Sequence, residues 1–117
     1  MAEAMGELHD AQIDVELTQG YPPVINTADE VDLVRRCVRA HLGDDALTTA
    51  PNASMGSEDF SYYLESIPGC YVRFGARRAE HEYIPLHSPE FDIDENVLKV
   101  GASYFDEVAR RALRELG

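Results

Sequence analysis

The chain has 117 residues, of which 44% are hydrophobic, enough for one domain, or a large piece of one, with a core. Its formal net charge of −12, from 22 acidic against 10 basic residues, makes nucleic acid and anionic membranes unfavourable partners. No apolar stretch approaches the ~20 residues that span a bilayer, and no signal peptide is evident, which predicts a cytoplasmic protein.

The first 24 residues predict the tail of a helix followed by one strand. Residues 1–8 are typical of a helix that closes near Gly6. Residues 11–17 alternate apolar and polar side chains, a period of two that predicts an antiparallel strand with one face in water. The Gly-Tyr-Pro-Pro of residues 20–23 ends this strand, and no partner strand is evident. An unpartnered strand indicates that part of the fold lies outside this chain.

Two amphipathic helices frame the rest of the chain. The first opens at Thr27, which has capping-box spacing to Glu30, and stops at Gly43. Asp92 or Asp94 caps the second, which continues to the end of the chain. The residues expected to form its packing face are Val97, Gly101, Tyr104, Phe105, Val108 and Ala112.

A third, shorter helix is predicted after Ser57, a favourable N-cap, and should end at the Pro-Gly of residues 68–69. Glu58 and Asp59 fall in its first turn, where the helix dipole stabilises carboxylates. Capping alone accounts for this acidic pair, and a catalytic role for it is the alternative. The motif therefore predicts a helix start and leaves its chemistry open.

Residues 70–75 form a short, mostly apolar run between helices, which is the pattern of a strand in a largely parallel sheet. Together with the helices this predicts an α/β fold. Cys37 and Cys70, with no CxxC spacing, are expected to be buried free thiols. A long loop over residues 76–90 then leaves the edge of the sheet at which ligands usually bind.

Pro85 and Pro89 bracket one histidine, His87, in that loop. Proline fixes φ and disfavours helix at the preceding residue, so the intervening residues are expected to be extended and to aim the imidazole. Two alternatives remain open. His81 and His87 share a metal ion, or His87 only bonds a backbone carbonyl. A catalytic zinc needs about three protein ligands, and no such cluster is evident by spacing.

Four motifs occur in order along the chain, namely residues 20–26 (GYPPVIN), 55–61 (MGSEDFS), 67–69 (IPG) and 86–91 (LHSPEF), before the last helix. This series resembles the C-terminal part of the metal-dependent amidohydrolases related to hippurate hydrolase, N-acyl-amino-acid amidohydrolases and auxin-conjugate hydrolases. These enzymes are grouped with the aminoacylase and carboxypeptidase metallopeptidases. The resemblance covers nearly the whole chain.

The resemblance implies the C-terminal part of a three-layer α/β metallopeptidase-like catalytic domain in residues 25–117. Residues 1–24 would be the last part of an α+β lid domain, which often mediates dimers. Two divalent metal ions, zinc or manganese, would bind in the intact enzyme. His87 corresponds to the last metal ligand, and the residues that correspond to active-site lining are Gly56, Ser57 and Glu58.

The reaction that the resemblance implies is hydrolysis of the amide bond of N-acyl amino acids or similar conjugates. The other metal ligands and the general base belong to the N-terminal part of such enzymes. The isolated chain is therefore expected to be inactive, to expose apolar surface, and to associate as a homodimer or with a missing N-terminal half. The alternative is a non-catalytic acidic interaction module derived from such an enzyme.

Overall fold

The computed structural model describes residues 1–50 and 52–116, and within them the regular structure is helical. The elements are α1 (Ala2–His9), α2 (Ala28–Leu42), a 3-10 helix (Asp44–Ala46), α3 (Phe60–Leu64) and α4 (Asn96–Leu116). In these ranges no helix combines the length and the apolar character that crossing a bilayer requires.

The core lies where α2 packs against α4. Its buried apolar residues are Cys37 and Val38 from α2 and Tyr104 from α4, and Phe74 packs edge-on to Tyr104 with ring centroids 5.5 Å apart. Arg36 and Glu115 pair across the same two helices at 2.7 Å, but an exposed ion pair contributes ~1 kcal/mol or less. Apolar packing therefore holds the two helices together.

Burial changes the titration of three groups in and beside this core. It raises the pKa of the Tyr104 phenol to about 12, so the ring stays neutral over the physiological range. It also raises the pKa of the Cys37 and Cys70 thiols. Both cysteines are free, as predicted, although only Cys37 is fully buried and Cys70 is half-buried.

Both long helices occupy the regions that the sequence predicts. Asp94 is the cap of α4, because its Oδ1 accepts the backbone N–H of Asn96 at 3.0 Å. Thr27 precedes α2, but the capping box is wrong. Its hydroxyl bonds the carboxylate of Glu30 and caps no backbone N–H of α2. Gly43 ends α2 with a φ of 89°, a conformation that favours glycine.

The first and third helices differ from prediction at their ends. α1 runs to His9, beyond Gly6, and a Cβ on Gly6 would lie only 2.6 Å from the backbone oxygen of Ala11. Gly6 therefore permits a close backbone approach and does not stop the helix. α3 begins at Phe60 and ends at Leu64, so Ser57 is not its N-cap.

Neither predicted strand forms in the described residues. Residues 11–17 are exposed throughout, and Leu17 is 91% exposed. Residues 70–75 likewise have no strand partner. An alternating or apolar pattern makes a segment suitable for a sheet. The segment forms a strand only if a neighbouring strand accepts and donates its backbone hydrogen bonds. The described chain supplies no such neighbour, so the α/β sheet is absent from it.

The chain is extended, with a radius of gyration of 20.5 Å and principal extents of 64 × 41 × 22 Å. A compact domain of this length would have a radius of about 13 Å. Phe105, predicted to pack inward from α4, is 60% exposed, which corrects that prediction. Other large apolar side chains of α4 are exposed as well, namely Leu98, Val100 and Leu113. The small core thus leaves much apolar surface uncovered, as the sequence predicts.

Candidate active site

Three of the four sequence motifs meet around Tyr71. The side chain of Asn26 pairs with its backbone, since Oδ1 accepts the Tyr71 N–H at 2.8 Å and Nδ2 donates to the Tyr71 carbonyl at 3.2 Å. Thr27 holds the neighbouring motif in the same way. Its Oγ1 accepts the N–H of Gly69 at 2.9 Å, and its N–H donates to the Gly69 carbonyl at 3.0 Å. These hydrogen bonds join the start of α2 to residues 69–71.

The carboxylate of Glu58 interacts with two neighbouring groups where these motifs meet. The backbone N–H of Phe60 donates to Oε1 of this carboxylate at 3.2 Å, and the Tyr71 phenol lies beside the same carboxylate. Because both donors stabilise the charged form, first the phenol and then the backbone amide, the pKa of Glu58 lies below its usual range. The Glu58 carboxylate, as hydrogen-bond acceptor for the phenol, in turn raises the pKa of Tyr71.

The backbone around Glu58 is also fixed. The buried hydroxyl of Ser61 donates to the carbonyl of Glu58 at 2.7 Å. The Phe60 ring lies against the Tyr71 ring with centroids 5.8 Å apart. Further along, Gly69 lies close to the Leu64 side chain, since a Cβ built on Gly69 would be 2.8 Å from Leu64 Cδ2. Glu58 is therefore a charged group on a well-defined turn.

Gly56 and Ser57, the other two predicted lining residues, precede Glu58 and are exposed. The N–H of Gly56 donates to Ser54 Oγ at 3.2 Å, which closes a local turn. Both residues are therefore accessible to a ligand that approaches Glu58 from this side.

Replacing Tyr71 with phenylalanine is expected to raise the pKa of Glu58 toward its ordinary value, because the phenol is the strongest stabiliser of this carboxylate. Carbonyl-detected NMR titration of the glutamate side chains measures the change. Tyr63→Phe is the matched control, since the Tyr63 ring also contacts Phe60, at 5.9 Å between centroids. An unchanged Glu58 titration in Tyr71→Phe would show that the phenol does not hold the carboxylate.

His87 lies in a tight turn, which corrects the prediction that it is held extended. The N–H of Ser88 donates to the Pro85 carbonyl at 3.2 Å, and His87 has a φ of 69° at the third position of that turn. A second turn follows directly, closed by Phe91 N–H on the Ser88 carbonyl at 3.1 Å. A left-handed conformation is uncommon for residues other than glycine and often marks a functional position.

The loop that carries His87 is fastened at its base. The N–H of Asp94 donates to the Ala76 carbonyl at 2.8 Å, which brings the two ends of the loop together. Arg78 adds a second tie, because its Nε donates to the Ile93 carbonyl at 3.1 Å and its guanidinium lies 3.3 Å from Asp92 Oδ2. The double turn thus projects an exposed imidazole from a closed loop.

A complete metal site is not assembled by residues 1–50 and 52–116, in which no three His, Cys, Asp or Glu side chains gather suitably. His81 and His87 are therefore not part of such a group within that range. His87 fits a metal as a single, accessible ligand only. Tyr71 links Glu58 to Asn26, because its phenol lies beside the Glu58 carboxylate and its backbone bonds the Asn26 side chain. Neither Tyr71 nor Asn26 was predicted as a site residue, and the one sequence signal was the position of Asn26 at the end of the motif at 20–26.

Comparison with known proteins gives one family match and several partial relatives. The family described as "Peptidase family M20/M25/M40" matches residues 5–111. An IAA-amino acid hydrolase ILR1-like 2 of Arabidopsis thaliana is 36% identical over 112 residues, 92% of this chain and 25% of that protein. A probable hydrolase, sll0100, of Synechocystis sp. is 37% identical over 99 residues, 81% of this chain and 24% of that protein.

A third relative is the N-acetyl-L-cysteine deacetylase of Bacillus subtilis. It is 36% identical over 115 residues, which is 97% of this chain and 26% of that protein. The chain thus spans about a quarter of the length of the curated relatives it matches.

Proposed function

Because the chain belongs to peptidase family M20/M25/M40, we propose that it is the C-terminal part of an enzyme that hydrolyses N-acyl amino acids or similar conjugates. The observation that carries this proposal is the family match over residues 5–111. The names of the relatives support it, since they include an IAA-amino acid hydrolase and an N-acetyl-L-cysteine deacetylase. Within this family the chain would be part of a hydrolase of the metal-dependent amidohydrolase type.

The proposed architecture is the C-terminal part of a three-layer α/β catalytic domain in residues 25–117, preceded by a lid remnant in residues 1–24. The unpartnered segments at 11–17 and 70–75 support it, because both carry strand patterns without a neighbour. The uncovered apolar surface of α4 supports it too. A homodimer through the lid, and a cytoplasmic location, belong to the same proposal.

In the intact enzyme His87 would supply one ligand to a pair of divalent metal ions, zinc or manganese. A divalent metal, when bound, polarises a carbonyl oxygen and lowers the pKa of a coordinated water. The chain's own contribution is to present the imidazole on the turn closed by Pro85 and Ser88. The remaining ligands and the general base would come from residues outside this chain.

Gly56, Ser57 and Glu58 would line the active site. Glu58 is ionised at neutral pH, because the Tyr71 phenol and the Phe60 amide keep its pKa low. A carboxylate held in this way can accept a hydrogen bond from the substrate or orient a neighbouring donor. It is poorly suited to deliver a proton as a general acid near neutrality.

A chimaera tests the proposed function. The segment of the Bacillus subtilis N-acetyl-L-cysteine deacetylase that matches this chain is replaced by residues 1–117, so that the relative supplies the remaining three quarters. We expect the chimaera to release acetate from N-acetyl-L-cysteine when zinc or manganese is added. The measurement is acetate release, with the unaltered deacetylase as the positive control and the deacetylase without its matching segment as the negative control.

A folded chimaera that hydrolyses neither N-acetyl-L-cysteine nor any of a panel of other N-acyl amino acids, with zinc or manganese present, would overturn the proposal. That result would favour the non-catalytic interaction module. Circular dichroism and size-exclusion chromatography of the same sample establish that the chimaera is folded.

A further inference from the structure

A cleft of about 270 Å³ opens between residues 73–78 and the loop that carries His87. Its apolar wall is formed by aromatic and aliphatic side chains, namely Phe74, Ile84, Leu86 and Phe91. Leu86 directly precedes His87, so the cleft begins beside the histidine turn. Small-molecule sites typically combine apolar walls of this kind with a few polar groups that fix the orientation of the ligand.

The charge of this cleft is opposite to that of the chain. Three arginines line it against two carboxylates, although the whole chain carries a net charge of −12. Arg78 is already engaged, by Asp92 at 3.3 Å and by the Ile93 carbonyl at 3.1 Å. Arg73 and Arg77 are exposed, and neither forms an ion pair with another group of residues 1–50 or 52–116. Two guanidinium groups are thus available to a ligand.

We propose that this cleft binds an amphipathic carboxylate, with the apolar part of the ligand against Phe74 and Phe91 and the carboxylate on Arg77 or Arg73. Guanidinium groups suit carboxylates because two parallel N–H donors match the two oxygens. The inference rests on the proposed function and deepens it, since an N-acyl amino acid carries both an apolar group and a carboxylate. It assigns recognition of those two groups to residues of this chain.

Binding is measured on the 117-residue chain itself, without metal, by NMR titration of the backbone amides. The probes are N-benzoylglycine, its uncharged analogue N-benzoylglycinamide, and sodium acetate. We expect N-benzoylglycine to shift the amides of Phe74, Leu86 and Phe91. The uncharged analogue should bind roughly tenfold more weakly, because it lacks the charge-assisted hydrogen bonds, and acetate should bind weakly because it lacks the apolar group.

Arg77→Gln and Arg73→Gln test the two cations separately, and the double variant is expected to weaken N-benzoylglycine binding by roughly tenfold. Both arginines are exposed, so these variants should fold normally. Arg110→Gln is the matched control, because Arg110 pairs with Asp106 on α4 at 2.8 Å and does not line the cleft. Its affinity for N-benzoylglycine should equal that of the unaltered chain.

Shifts outside the cleft, equal affinity for the acid and the amide, or an unaffected double variant would each overturn the inference. The result of this binding experiment can be distinguished from the result of the chimaera experiment. Catalysis by the chimaera without binding in this cleft defeats only the inference. Binding in the cleft together with an inert, folded chimaera defeats only the proposed function.

Discussion

Replacing His87 with alanine is expected to lower the kcat/KM of the chimaera for amide hydrolysis by more than about 100-fold. Loss of a hydrogen-bond partner behind a metal ligand typically costs 10–100-fold in affinity or activity, and loss of the ligand itself should cost more. The imidazole is exposed on a closed double turn, and His87 supplies neither the donor nor the acceptor of the two backbone hydrogen bonds that close it. Steady-state kinetics and the metal content of dialysed protein measure the effect.

Variants of two other histidines show whether the effect is specific to His87. His41→Ala, on α2 and exposed, should leave both metal content and kcat/KM unchanged. His81→Ala distinguishes the shared-metal alternative, because His81 lies in the same loop. If it removes metal as fully as His87→Ala does, both histidines are ligands. If His87→Ala retains full metal content and activity, the assignment of His87 is wrong.

Replacing Tyr104 with alanine is expected to destabilise the chain by about 3–5 kcal/mol, since truncation of a buried aromatic residue removes its apolar burial and leaves a cavity. Tyr104 is 2% exposed and is one of three buried apolar residues in the described core. It contacts Phe74 and Phe105, with centroids at 5.5 and 5.3 Å. Total stabilities of small domains are only about 5–15 kcal/mol.

Urea denaturation followed by circular dichroism at the helix band measures this loss. Leu113→Ala is the matched control on the same helix, because Leu113 is 76% exposed and should cost less than about 0.5 kcal/mol. If the two variants unfold at the same urea concentration, the α2–α4 contact is not what stabilises the chain. A chain with Tyr104→Ala that shows no cooperative transition agrees with the prediction.

The long helices were predictable because their signals are local. A helix satisfies its own backbone hydrogen bonds, so the apolar period and the residues near each end are sufficient to place α2 and α4. The cap of α4 could be narrowed to Asp92 or Asp94 for the same reason, and the structure selects Asp94. The resemblance was also visible in the sequence, since four short motifs in one order need no three-dimensional information.

The strands and the surroundings of the site were not predictable in this way. A strand depends on a neighbour, and residues 11–17 find none among those described. The turn at His87 depends on a backbone hydrogen bond from Ser88 to Pro85, which proline patterning alone did not reveal. The bonds from Asn26 to the backbone of Tyr71 join residues 45 positions apart, a separation that no local pattern encodes.

The sequence by itself therefore determined the two long helices and the family, and it nominated as site residues His87, Gly56, Ser57 and Glu58. Only the tertiary structure decided that Tyr71 and Phe60 hold Glu58 in its charged form, and that His87 projects from a closed double turn. The physical reason is the sequence separation of the residues on which each property depends. Helix formation and motif order are properties of neighbouring residues, whereas pKa values, strand pairing and ligand geometry depend on groups that folding brings together from distant parts of the chain.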